Sequence, residues 1–162
     1  MALARVKFGK LFRRGSESGN AAIEFGLFIP VLLTLLTGTV ELGFLMYEAM
    51  QVNNAVEAGM LYAAANTTFN AGNIQSAVVN ASVLPTGLNT LTATPAPTQF
   101  CGCATAASVT NLGSPPCSAT ACAGNSAAGT YVQVNASLTH TIIIPNPWVP
   151  TTLTATAVIR TN

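Results

Sequence analysis

The chain has 162 residues, with six Lys or Arg, five acids, one His and a formal net charge of +1 at pH 7. That length can bury one modest core, so one folded domain is expected. All five acids (Glu17, Glu24, Glu41, Glu48 and Glu57) precede residue 58, and between Ala58 and Ile159 only His140 can acquire charge, which leaves that region a poor solvated acid or base site and argues against an enzyme.

Residues 1–19 form a short basic leader that ends in SESG, with Arg5, Lys7, Lys10, Arg13 and Arg14 all ahead of the apolar run. The positive-inside rule therefore places the N-terminus in the cytoplasm and the chain beyond Tyr47 on the other side. No aromatic or basic platform accompanies the leader, so it reads as targeting and not as a nucleic-acid arm. From Phe25 to Tyr47 the sequence carries one charge, Glu41. As a helix at about 1.5 Å per residue this segment spans about 35 Å, enough to cross a bilayer, and lipid is its expected partner. Pro30 removes a backbone hydrogen bond there, which predicts either a kink or local melting near 26–30, or simple tolerance by the membrane helix.

The helix is expected to continue over 20–65. Leu45, Ala49, Val52, Val56, Gly59 and Ala63 continue one stripe while Glu48, Gln51, Asn53, Asn54 and Glu57 form the opposite, polar face, and Asn66-Thr67-Thr68 stops it. Such an amphipathic extension must lay its stripe on its own domain or on neighbouring copies. A second short helix is predicted over 70–84, with Asn73 as N-cap and Ile74, Ala77, Val78 and Ala81 on one face. Residues 86–129 are rich in Thr, Ala, Ser, Gly and Pro and read as a Cys-containing loop. Strands are expected at 131–145 and 151–160. In the first, Val132, Val134, Ala136 and Leu138 alternate with Gln133, Asn135, Ser137 and Thr139, and the pair forms an antiparallel hairpin, with 88–94 and 99–104 adding one or two strands.

Glu24 at the start of the apolar run is a costly carboxylate unless paired. Cleavage after Gly19 would place a new amine on Asn20, four residues before Glu24 and on about the same helix face. Glu41, with Glu48 seven residues on, is expected to contact another subunit from within the membrane or to snorkel to water. Cys101, Cys103, Cys117 and Cys122 permit three pairings. Their spacing fits neither a zinc site nor a redox C-x-x-C, so two structural disulfides are expected, and no metal. If Cys101 and Cys103 share a strand, each pairs with one of the other two. His140 falls on the apolar parity of its strand and reads as a satisfied or rim residue, and no nucleophile can be assigned among the many Ser and Thr.

The run Gly19-Asn20-Ala21-Ala22-Ile23-Glu24-Phe25 resembles the processing site of type IV prepilins of the tight-adherence (Tad/Flp) class. Through Pro30, Val40-Glu41-Leu42-Gly43 and the helix from Gln51 to Ala65, the chain is similar to TadE-like minor pilins, and its alternating strand, Pro turn and final strand are similar as well. Major Flp pilins are much shorter. The resemblance implies cleavage between Gly19 and Asn20 by a prepilin peptidase, with Glu24 and Phe25 needed for processing or assembly; Pro30 and Glu41 are candidates for intramembrane subunit contact. It implies the major pilin, other minor pilins and the inner-membrane assembly platform as partners, and no cofactor. The expected architecture is α+β: a cytoplasmic leader (1–19), a long helix (20–65, membrane part about 25–47) and a small periplasmic antiparallel sheet domain (66–162) with its Cys loop at 86–129. The expected function is pilus assembly and surface adherence. The alternative is an uncleaved, signal-anchored periplasmic binding or adhesive domain.

Overall fold

No proline interrupts the sequence from Ser16 to Pro30, and apolar residues dominate up to Tyr47, so nothing local stops a helix. In the computed structural model one helix, α1, runs over Ser16–Ala65. It begins ahead of Gly19 and passes through Pro30 without a break, so local melting there is not seen. Thr34 Oγ1 donates to the Pro30 carbonyl at 2.7 Å, a back-bond within the helix. The structure describes residues 16–82, 90–117, 122–123, 126–142, 147 and 149–161, with the side chains of 16–18, 20 and 21 left aside. The expected leader up to residue 15, residues 83–84 of the expected second helix, the strand start at 88–89 and the turn at 145–146 lie outside them.

The chain divides at Val40/Glu41 into two units. In the first, the described side chains of α1 from Ala22 to Val40 are exposed apart from half-buried Thr37, among them Phe25 at 68%, Leu27 at 71% and Phe28 at 70%. This is one apolar helix long enough to cross a membrane, consistent with a single-pass anchor.

The second unit is α+β. Beyond Asn66, α2 covers Ala71–Asn80, and its N-cap is Asn70, not Asn73: the Asn70 side chain accepts from the Asn73 N–H at 3.1 Å, and Asn73 is already inside the helix. Ile74 and Val78 are its buried residues. Five antiparallel strands follow: β1 (Leu91–Thr92), β2 (Thr98–Ala104), β3 (Val109–Gly113), β4 (Gly129–Thr139) and β5 (Thr152–Arg160). The expected loop at 86–129 thus contains a β2–β3 hairpin. β4 is the hub: β5 pairs along it from Tyr131↔Arg160 to Thr139↔Thr152, while β2 pairs from Thr98↔Gln133 to Gly102↔Gly129 and β1 at Leu91↔Leu138 and Thr92↔Ser137.

Val132, Val134, Ala136 and Leu138 of β4 turn one face to the core, joined by Val52, Ala55, Val56 and Ala63 of α1 and by Ile74 and Val78 of α2. Each of the Val, Leu and Ile side chains among them contributes about 1.5–3 kcal/mol when fully buried. The opposite face of β4 was expected to carry the polar residues, and Asn135 is buried there. Its Nδ2 donates to the Pro95 carbonyl at 3.2 Å, and its Oδ1 accepts from Thr156 Oγ1 at 3.0 Å and Gln133 Nε2 at 3.1 Å, so the amide is satisfied under the 93–97 segment. Tyr131 stacks on Phe100 beside it, ring centroids 5.9 Å apart.

The Cys pairing left open above is Cys101–Cys117 and Cys103–Cys122. Both bridges tie β2 to the chain beyond β3. With separations of 16 and 19 residues, each restricts the unfolded chain by about 3 kcal/mol in the loop-entropy account. Replacing Cys103 and Cys122 together by Ser is expected to lower the unfolding free energy by about 2–4 kcal/mol in a denaturant titration of the full chain in detergent. An unchanged midpoint would mean that the bridge restricts nothing beyond the sheet's own pairing.

Candidate functional site

A helix carrying carboxylates at positions 41 and 48 presents them on nearly one face, because seven residues make almost two turns. On α1 that face points into the second unit: Glu41 and Glu48 are 6% and 5% exposed. Glu48 was expected on the polar face, with Gln51, Asn53, Asn54 and Glu57; Asn53, Asn54 and Glu57 are exposed, but Gln51 is half-buried and Glu48 is buried. The reason is His140. One residue beyond β4, it keeps the inward parity of Leu138 and is 6% exposed, and its backbone N–H donates to the Thr151 carbonyl at 2.9 Å. Its ring stands between the two acids, with Nδ1 2.6 Å from Glu48 Oε2 and Nε2 3.1 Å from Glu41 Oε1. Glu41, expected to reach another subunit, thus meets a partner in its own chain.

A neutral imidazole carries one N–H and would set a lone pair against one of the carboxylate oxygens, whereas the imidazolium donates to both. Burial alone would lower the affinity of His140 for its proton. The hydrogen bonds from Glu48 and Glu41, with the negative charge of both, outweigh that, so its pKa lies above the ordinary 6.5. The arrangement is a buried ionic clamp between α1 and the end of β4, and no proton acceptor for a substrate stands open in it.

The residues assigned to processing lie together on α1: Gly19 and Asn20 are helical, Glu24 and Phe25 are exposed, and Pro30 follows on the same helix. Their proximity is that of neighbouring turns and involves no second element. The cysteines form bridges, and among the described residues no group of three His, Cys, Asp or Glu is disposed to hold a metal ion. The clamp escaped sequence reasoning because its members stand 92 and 99 residues apart. Two signals pointed to it: the seven-residue spacing of the acids, and a histidine on the inward parity of an otherwise uncharged strand.

A single long apolar helix, consistent with a single-pass membrane anchor, continues into a small disulfide-bridged α+β unit. Residues 19–61 match the model of the TadE-like protein family, consistent with a TadE-like pilin of the Tad system. The matched stretch holds Gly19, Glu24, Phe25, Pro30, Glu41 and Glu48, and ends within α1 before the sheet begins. No curated protein and no solved structure matches the chain.

Proposed function

We propose that this chain is a minor pilin of a Tad-type type IV pilus, cut between Gly19 and Asn20 by a prepilin peptidase and acting in assembly and surface adherence. The observation that carries the reading is the TadE-like match beginning at Gly19, on a helix whose next described residues are exposed and almost wholly apolar. In this reading the apolar part of α1 up to Val40, about 28 Å of helix, anchors the chain in the inner membrane before assembly. The second unit faces the periplasm, where its disulfides persist. After cleavage the amine of Asn20 and the carboxylate of Glu24 stand one turn apart, or meet those of neighbouring subunits in a filament. The major pilin, other minor pilins and the assembly platform are the partners.

Co-expression with the peptidase and N-terminal sequencing of the mature chain tests this. A chain beginning at Asn20 is expected; an uncut chain, or one starting elsewhere, refutes the processing step and favours a signal-anchored domain. Glu24→Ala is expected to leave membrane insertion intact while abolishing recovery of the protein in sheared filament fractions, measured by immunoblot of both fractions. Normal recovery would remove Glu24 from assembly.

A further inference from the structure

The phase of the hydrogen-bond ladders shows which backbone groups the sheet leaves open at its two margins. The His140 N–H donates to the Thr151 carbonyl at 2.9 Å, and the Thr161 N–H donates to the Thr130 carbonyl at 2.9 Å. Opposed residues of an antiparallel ladder alternate between bonded and non-bonded pairs, so the odd-numbered residues of β5 bond to β4 and the even-numbered ones turn outward. Among the described residues β5 pairs with β4 alone. Thr152, Thr154, Thr156 and Val158 therefore present their N–H and C=O at a free edge. That edge lacks the usual protection against another strand: β5 has no proline, its register against β4 runs without a shift, and its one charge, Arg160, is its last residue.

The other margin is β3. The Thr105 N–H donates to the Ser108 carbonyl at 2.7 Å, and the same alternation then turns Thr110 toward Cys103 of β2 and turns Val109 and Asn111 outward. A bulge follows, with Leu112 as its extra residue, and it limits the regular edge to 109–111. Each margin exposes an apolar side chain, Val158 at 39% and Leu112 at 45%.

The two margins fit one another. β5 runs against β4, β4 against β2 and β2 against β3, so β3 and β5 point opposite ways at opposite sides of one sheet. A second copy set beside the first in the same orientation thus brings its β3 antiparallel to β5. We propose that the free edge of β5 docks β3 of a second copy of this chain, which extends the sheet from one chain into the next. Val109 of the second copy faces Val158, and Asn111 of the second copy faces Thr156, each pair exchanging two backbone hydrogen bonds. The pair of β-branched side chains covers Val158, and no like charges meet, because β3 carries none.

The direction of α1 argues against joining two β5 edges instead. Glu48 meets His140 beyond the end of β4 and Gly59 lies against Val134, so α1 runs against β4. Two β5 strands paired antiparallel would send the two helices opposite ways, whereas chains held in one membrane by α1 must present it in one direction. Pairing β5 with β3 keeps the helices aligned. This step rests on α1 as the membrane anchor and is independent of cleavage after Gly19. The contact is heterologous, so every added copy leaves one β5 and one β3 free, and the row is open-ended.

The test uses two differently tagged full-length chains co-expressed in one membrane, Val109→Cys in one and Val158→Cys in the other. Opposed residues of a bonded pair stand about 5.5 Å apart, within disulfide reach. After oxidation of isolated membranes, a mixed-tag dimer is expected on a non-reducing immunoblot, with the 109–158 link identified by mass spectrometry. Moving the second cysteine from Val158 to Thr152 is expected to lose the dimer, since about 20 Å of strand separates the two positions. Asn111→Cys with Thr156→Cys, the neighbouring pair, repeats the measurement if either valine variant is not recovered. A link between two Val158→Cys chains overturns β3 as the partner. Absence of the mixed-tag dimer from chains recovered in the membrane fraction overturns the pairing altogether, while the pilin reading still stands or falls on its own N-terminal sequencing.

Discussion

His140→Ala is expected to destabilise the second unit by about 3–5 kcal/mol, because it removes the ring that bridges two buried carboxylates. Against a total of about 5–15 kcal/mol for a typical domain, that is a large share. Denaturant unfolding of the full chain in detergent at neutral pH would show it as a lowered midpoint with an unchanged slope. The cost resides in the lost ion pairs and not in lost packing. Adding Glu41→Gln and Glu48→Gln to His140→Ala should therefore recover part of the loss. A single-variant effect below about 1 kcal/mol would mean that water reaches the carboxylates as soon as the ring is gone, and that the clamp holds little.

Gly59→Ala is the second substitution with a large expected effect, and here two effects of opposite sign compete. Alanine favours a helix interior over glycine by about 1 kcal/mol. A Cβ on residue 59 would, however, meet Val78 Cγ2 at 2.5 Å and Val134 Cγ1 at 2.9 Å. Both valines are fully buried and β-branched, so neither can swing its methyl aside without a strained rotamer. Overpacking of this kind costs about 1–3 kcal/mol, and with two stiff neighbours it should exceed the propensity gain. Thermal unfolding should show a lower midpoint for Gly59→Ala and a much lower one for Gly59→Val. Val78→Ala, which removes the closer methyl, should relieve much of the defect when combined with Gly59→Ala. A more stable Gly59→Ala chain would mean that α1 and α2 can move apart at little cost.

Period and punctuation made much of this fold legible. The alternation from Val132 to Leu138 predicted β4, the Thr-rich alternation of 152–160 predicted β5, and the continued stripe beyond Tyr47 predicted that α1 would leave the apolar segment and enter the domain core. β3 was missed because Val109–Gly113 is an edge strand with little burial and no alternation to read. The cap of α2 was misplaced by three residues, since two asparagines stand one turn apart and only backbone geometry chooses between them. The burial of Asn135 was not legible, because a strand's parity says which side a residue faces and nothing about whether a proline segment folds over that side. The clamp is the clearest case. Carboxylates within a helix and a histidine about 90 residues later have no local relation, and only the docking of α1 against β4 brings them together.

The position of β4 in the chain has a consequence for biosynthesis. Val52 emerges 82 residues before Val134 (134 minus 52), its partner in the core cluster. At about 5–20 residues per second this leaves a gap of about 4–16 s. During it, the inner stripe of α1 has at most Ile74 and Val78 of α2 and Leu91 and Ala93 for cover. The nascent chain therefore presents a helix with a bare apolar seam until its last strands arrive, and a chaperone or a neighbouring helix that recognises such a seam has that window in which to bind. A ribosome stalled before Gly129 would leave the seam open for as long as the stall lasts.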